Sequence, residues 1–263
     1  MAEHGIDDKV IGICLDGTGY GTDGNIWGGE FLMVDPEKFS RFIHFDYVPM
    51  PGGDKAVEEP WRMALSYLYK YFGDSIDLSG HNLLSNVDRD AIALVKSMIL
   101  KNINSPLTSG AGRLFDAVSA LTGLCTRSGF DSEAPMRLES AINCATDLCY
   151  RYKIGKTIRF DEMFAEMIDD TAKVDRSLIA AKFHNTLSKL ILEVSEIIRE
   201  ETSVNRVVLS GGVFQNKYLL ERSVGLLSHN RFRVYTNHQV PANDGGISLG
   251  QLFVTSKLKE LCV

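Results

Sequence analysis

The stretch Val10-Ile11-Gly12-Ile13-Cys14-Leu15-Asp16-Gly17-Thr18-Gly19-Tyr20-Gly21 decides how the rest of the chain folds around it. Its first residues are apolar and rich in β-branched side chains, bounded by Lys9 and Asp16, which is the composition of a buried strand entering a turn. The turn sets glycines beside a carboxylate. Backbone N–H groups in such a segment can approach phosphate oxygens, and Asp16 is placed to meet a cation. Taken singly, a hairpin turn needing positive φ at its glycines would have the same sequence.

Outward from this strand, Gly29-Glu30-Phe31-Leu32-Met33-Val34 and a segment near Phe42-Ile43-His44-Phe45 read as further strands, with Asp23-Gly24-Asn25 supplying a hairpin turn. The strands about 10–48 form a meander. After Pro51-Gly52-Gly53-Asp54 the period changes to helical, with Trp61, Ala64, Leu65 and Leu68 on one face and Ile92, Val95 and Ile99 on another. Helices fill the region about 55–200. The clearest runs from Arg176 to Glu201, where Ile179, Phe183, Leu187, Leu190, Ile191, Val194, Ile197 and Ile198 recur at spacings of three and four. Strands return at Arg206 to Ser210 and Arg231 to Tyr235, and Ile247 to Leu261 closes as a helix, so that residues about 205–263 form the third region. The order indicates one α/β lobe without an internal repeat.

Three more segments share the glycine-rich character of the first. Ser210-Gly211-Gly212-Val213-Phe214-Gln215-Asn216 runs from a strand into a helix that starts near Lys217, the place where open α/β sheets bind ligands. Asn243-Asp244-Gly245-Gly246 opens the final helix, with Asp244 as an N-cap or as a second acidic ligand. In Ser109-Gly110-Ala111-Gly112-Arg113-Leu114-Phe115-Asp116, Arg113 and Asp116 lie one helical turn apart. There Asp116 either holds ribose hydroxyls or pairs with Arg113 on a solvated face. Arg62, after Pro60-Trp61, contacts an anion or is solvated; His184, between Phe183 and Leu187, is scaffold or a substrate contact.

Composition narrows the partners. The 263 residues are 44% hydrophobic and 24% charged, a globular balance, and 28 basic against 34 acidic residues give a net charge of -6. No basic stripe is present to release counterions from a phosphate backbone, so nucleic acid is not expected as a partner. Cys14, Cys125, Cys144, Cys149 and Cys262 show neither zinc-site spacing nor a secreted disulfide framework. Nor does any apolar run reach membrane-spanning length. A reduced, cytoplasmic protein away from membranes is expected.

In this order, Asp16-Gly17-Thr18-Gly19-Tyr20-Gly21, Trp27-Gly28-Gly29-Glu30, Pro51-Gly52-Gly53-Asp54, Gly112-Arg113-Leu114-Phe115-Asp116-Ala117-Val118, Phe183-His184, Ser210-Gly211-Gly212-Val213 and Asp244-Gly245-Gly246-Ile247-Ser248-Leu249-Gly250-Gln251 resemble the C-terminal, Kae1-like part of the HypF carbamoyltransferases of hydrogenase maturation. The resemblance covers nearly all of residues 1–263. It implies the actin-like, sugar-kinase-like ATPase fold, ribonuclease H-like, here as one lobe with a helical insertion. Gly17, Thr18, Gly19 and Tyr20 then correspond to a phosphate loop and Gly211 and Gly212 to the adenosine loop, with Arg113, Asp116, His184 and Asn216 lining the substrate.

The resemblance further implies ATP-derived carbamoyl adenylate as donor and the C-terminal cysteine of a HypE-like protein as acceptor. A related carbamoyltransferase with another acceptor, such as a transfer RNA adenosine, and a non-catalytic lobe that only binds nucleotide or partner are the alternatives. No residue is assigned as catalytic. Asp16 and Asp244 correspond to ligands of a divalent metal, zinc, iron or magnesium, which the family completes with two histidines four residues apart. That pair belongs before the first strand, where this chain has only His4. The expectation is a truncated or split enzyme, its missing domains supplied by a companion chain, with weak metal binding from two carboxylates.

Overall fold

The computed structural model describes the backbone of residues 1–75 and 86–260, and side chains as far as residue 257. Leu261, the expected last residue of the final helix, and Cys262 lie outside the described residues. Strand β1 (Val10–Tyr20) is the axis of the sheet. Ile11, Ile13 and Leu15 alternate onto one face and are fully buried there, as a period of two dictates. β2 (Ile26–Val34) pairs antiparallel with β1, and β3 (Phe39–His44) pairs antiparallel with β2.

The chain then leaves the meander through β4 (Val48–Pro49) into α1 (Lys55–Glu58), α2 (Trp61–Phe72) and α3 (Arg89–Lys101). It returns as β5 (Leu107–Thr108), followed by α4 (Ala111–Leu121), α5 (Glu133–Ser140), the two-stranded ribbon of β6 (Lys153–Ile154) and β7 (Ile158–Arg159), α6 (Asp161–Thr171) and α7 (Arg176–Thr202). Last come β8 (Arg206–Ser210), α8 (Lys217–His229), β9 (Arg233–Tyr235) and α9 (Ile247–Glu260). The main sheet has the order β4-β5-β2-β1-β8-β9, with β3 also on β2; β8 lies parallel to β1 and β9 parallel to β8. The strand preceding Gly211-Gly212 therefore sits directly beside β1.

Helices pack onto this sheet through the stripes that the periodicity indicates. α7 buries Ile179, Phe183, Leu187, Leu190, Ile191, Val194 and Ile198, leaving Ile197 half-buried. Asp175 caps its start by accepting from Ser177 N, and Ser203, in the left-handed conformation, ends it. α4 is buried along its whole length between α2, α5 and the sheet. The seams are aromatic: Tyr67 stacks on Phe164 at 4.9 Å and Phe115 meets Phe183 edge-on at 4.8 Å. α3 turns the expected face inward: Val95 is buried and Ile92 and Ile99 are half-buried against the core, while Leu94 and Leu100, off that face, meet solvent.

Two local expectations are corrected. Asp16 to Tyr20 is not a turn between strands but part of β1, and the chain reverses later, around Asp23-Gly24-Asn25. The register explains why: Leu15 opposes Gly29 and Gly19 opposes Trp27, so Asp16, Gly17 and Thr18 face Gly28 alone and bulge out of the ladder. The second concerns Arg113 and Asp116, which do not pair on a solvated face. Both are buried, because α4 has no solvated face.

Candidate functional site

The four glycine-rich segments converge at the C-terminal end of β1. Gly17 lies against the start of α4, so close that a Cβ on Gly112 would come within 2.8 Å of its Cα and one on Gly110 within 2.4 Å of its carbonyl oxygen. Gly211 leaves β8 at φ 106 with its Cα facing Leu15, where a Cβ would stand 2.2 Å from the Leu15 oxygen. Only glycine fits there, by backbone angle and by space. Its N–H donates to Ala242 O at 3.0 Å, which ties in the segment that leads to Asp244.

Asp16 projects from the bulge with Oδ1 accepting from Gly17 N at 2.7 Å, and a Cβ on Gly212 would stand 3.2 Å from that same oxygen. Asn243 is the next neighbour of Gly212. Asn243, rather than Asp244, supplies the cap of the short turn Asp244–Gly246 by accepting from Gly245 N at 3.1 Å, and Asp244 is exposed. Among the described residues no group of three or more His, Cys, Asp or Glu side chains could hold a metal ion. Among the described residues Asp16 and Asp244 are therefore not joined by a third such donor.

Beyond the bulge, Thr18 is exposed and the Tyr20 ring is almost wholly in solvent. Arg113 Nη1 meets Asp116 Oδ2 at 2.9 Å, and Arg113 Nη2 lies 3.0 Å from the place a Gly17 Cβ would take. Burial is the larger influence on Asp116 and raises its carboxyl to about 6, against the pull of Arg113.

His184 is fully buried and both ring nitrogens are engaged within the protein. Nδ1 lies 2.8 Å from Ala180 O and Nε2 lies 2.8 Å from the Asn216 amide nitrogen. With a carbonyl on one side and an amide donor on the other, the network assigns a neutral ring protonated on Nδ1. Burial lowers the ring pKa to about 4. Asn216 Oδ1 in turn accepts from Leu219 N at 2.8 Å and caps α8. The expected direct substrate contact at His184 is thus corrected: with no nitrogen left over, it orients Asn216 and the loop before α8. Arg62 is neither free nor solvated, since it donates to Glu59 Oε2 at 2.6 Å and to Pro51 O.

One network was not foreseen from the sequence. The buried Glu30 carboxylate accepts from Gly28 N, Gly29 N and Ser109 Oγ through Oε1, and from Arg41 Nε through Oε2 at 2.6 Å. Arg41 stacks 4.0 Å over the Trp27 ring and also donates to Tyr47 and Asp23. Together these side chains clamp β2 and β3 to the segment that enters α4. Trp27-Gly28-Gly29-Glu30 stands out in the sequence, but its partner Arg41 comes from another strand and carries no local signal.

Comparison with known proteins shows the family. Residues 12–251 match the model of a carbamoyltransferase Kae1-like domain, second subdomain. The chain is 33% identical to the carbamoyltransferase HypF of Synechocystis over 99% of its own length and 36% of that protein. It is 30% identical to a HypF homolog of Cupriavidus necator, covering 98% of this chain and 68% of that one. Of several full-size HypF relatives the chain spans about a third of the length. Among solved structures it superposes with a TM-score of 0.92 and 42% identity on full-length HypF in a phosphate- and nucleotide-bound form, covering 98% of this chain and 41% of that one. The T. kodakarensis HypF structure superposes with a TM-score of 0.86 and 32% identity, covering 96% of this chain and 34% of that one.

Proposed function

Since the chain belongs to the HypF carbamoyltransferase family as its Kae1-like second subdomain, we propose that it forms the nucleotide-side half of a carbamoyl-transfer site. In that reading it receives carbamoyl adenylate and passes the carbamoyl group to the C-terminal cysteine of a HypE-like acceptor. The observation that carries it is the meeting of Gly17, Gly110 to Arg113 and Gly211 to Gly212 at one end of the paired strands β1 and β8. Glycines at each approach leave backbone, not side chain, at the ligand-facing surface, as a phosphate-bearing nucleotide requires.

The transfer joins the acceptor sulfur, as a thiolate whose proton has passed to solvent, to the carbamoyl carbon and breaks the bond from that carbon to the phosphate oxygen, which leaves with the electron pair as AMP. Charge develops first on the carbonyl oxygen and then on phosphate, where fixed donors stabilise it. Gly17 to Tyr20, Gly211, Gly212, Arg113 and Asp116 belong to the nucleotide side in this reading; His184 and Asn216 hold the loop. Asp16 and Asp244 contribute two carboxylates and no complete metal site, so no step is assigned to a metal.

A second reading, a lobe that binds without turnover, is favoured by the exposed Ile247, Leu252 and Val254 on α9 and by the short donor set. One assay separates the two. The chain, alone and with the remaining HypF domains supplied, is given carbamoyl adenylate labelled in the carbamoyl group, with a HypE-type protein or transfer RNA as acceptor. Label on the HypE cysteine, reduced about tenfold or more by Gly211→Ala, is the expected result. Transfer by the chain alone removes the binding-only reading, label on transfer RNA changes the acceptor, and no transfer in any arm overturns the catalytic reading.

A further inference from the structure

We propose that Glu3, in the lead-in to β1, is a positioning residue for the transfer site: it holds the segment from Thr236 to Ala242, and through that segment the Gly211 loop and the Asp244 turn. Its part in the reaction rests on the transfer reading above; its hold on the segment does not.

β9 makes its last pairing with β8 at Tyr235, and from there the chain runs to the Asp244 turn with little to rest on. No residue from Thr236 to Asp244 is buried. With Leu209, Phe214 and Leu220 the segment lines a cleft of about 320 Å³, so its inner side meets open space rather than packed side chains. A stretch of this kind lies at the low end of local stability unless polar contacts fix it.

The lead-in to β1 supplies such contacts. Glu3 Oε1 accepts from His238 N at 2.8 Å and from Gln239 N at 2.7 Å, one carboxylate oxygen taking two successive backbone N–H groups. Bonds of this charge-assisted type are about twice as strong as neutral ones. The same N–H groups, that of Gln239 foremost, hold the Glu3 carboxyl below its ordinary pKa and keep it ionised. Beside it, His4 Nε2 donates to Thr236 O at 2.7 Å, and the His4 ring meets Tyr235 at 5.4 Å and His238 edge-on at 5.9 Å.

The far end of the segment passes this hold on to the site. Ala242 O accepts from Gly211 N at 3.0 Å. Pro241 carries the Asp244 turn, for a Cβ on Gly245 would come within 2.6 Å of Pro241 Cγ and one on Gly246 within 2.7 Å of the Pro241 oxygen. Packing that close couples turn and segment. A shift of the segment therefore moves Gly211 and Asp244 together, and a misplacement on the order of 1 Å at a reacting geometry costs up to about a hundredfold. Asp8 offers the contrast of a plain anchor: it meets Arg206 at 2.9 Å and fastens the same lead-in to β8.

Amide hydrogen exchange and the kinetics of the transfer assay test this together. In Glu3→Ala the amides of Gly211 and of residues 237–242 should exchange about tenfold faster or more, while those of α4 and α7 keep their protection; Glu3→Gln, which retains an acceptor oxygen, should recover part of the loss. With the remaining HypF domains supplied, Glu3→Ala should raise KM for carbamoyl adenylate about tenfold, Glu3→Gln less, and neither should change KM for the acceptor. Asp8→Asn should leave both KM values as they are. A purely structural anchor would lower the folded fraction, and with it the apparent kcat, at constant donor KM. That result, an equal rise of donor KM in Asp8→Asn, or unchanged exchange at Gly211 overturns the proposal. No transfer by the unsubstituted protein overturns the transfer reading instead and confines Glu3 to holding the segment, which the exchange rates decide.

Discussion

At the scale of single residues, His184 shows how a group that resembles a catalyst becomes a support. Its sequence setting, between Phe183 and Leu187 on an amphipathic helix, marks a buried position, but the partner that takes its second nitrogen, Asn216, lies on a different element. Burial makes the charged ring unfavourable and lowers its pKa from 6.5 to about 4. Above pH 6.5 the ring is neutral in both folded and unfolded chains, and the stability it contributes is fully present. Below that, the unfolded chain takes up the proton first, and stability is lost until the folded ring also protonates near pH 4. The loss expected over this window is about 3 kcal/mol. Urea unfolding measured between pH 7 and 4 should show that decline and should lose it in His184→Gln; identical acid limbs in the two proteins would remove His184 as its source.

At the scale of elements, the Glu30 carboxylate holds β2, β3 and the lead-in to α4 in one arrangement. Removing it leaves the largely buried Arg41 guanidinium without its principal counter-charge and Gly28, Gly29 and Ser109 without their acceptor. Glu30→Ala is expected to cost about 3–5 kcal/mol in denaturant unfolding. Glu30→Gln, which keeps the oxygen toward the glycines, should cost less; equal losses would mean that the acceptor for the glycines adds nothing and that the charge pairing with Arg41 carries the whole effect. Elements with a local period were legible in the sequence, which is why α7 and the apolar face of β1 appear where the spacing puts them. The bulge at Asp16 to Thr18 was not, because it is defined by register against β2, a property of two segments at once. For the same reason Arg113 and Asp116 were recognisable as a pair but not as a buried one: burial comes from α2 and the β1 bulge, neither visible from α4 alone. The cap at Asn243 instead of Asp244 is a smaller miss of the same kind, decided by which of two adjacent side chains turns back on Gly245.

At the scale of the whole molecule, Asp16 lies at the β1 bulge and Asp244 is exposed, and no group of three or more metal-ligating side chains is found among the described residues. Calorimetric titration with zinc, iron(II) or magnesium should therefore give weak binding without a stoichiometric break, and a sharp one-to-one transition would show that the fold gathers more donors than Asp16 and Asp244. The sheet has a last implication, for the order of events in time. Ile11 pairs with Val207, so β1 and the strand synthesised after all of the helices from α1 to α7 are immediate neighbours. A nascent chain that has not yet emerged past Ser210 holds Asp16 and Gly17 without the glycines that complete their surroundings. Such pairing, distant along the chain, is slow to form because the long intervening loop must close first. The site is therefore completed only after α2 and α4 have been made, and an interruption before β8 removes it while leaving the α2 and α4 core able to collapse.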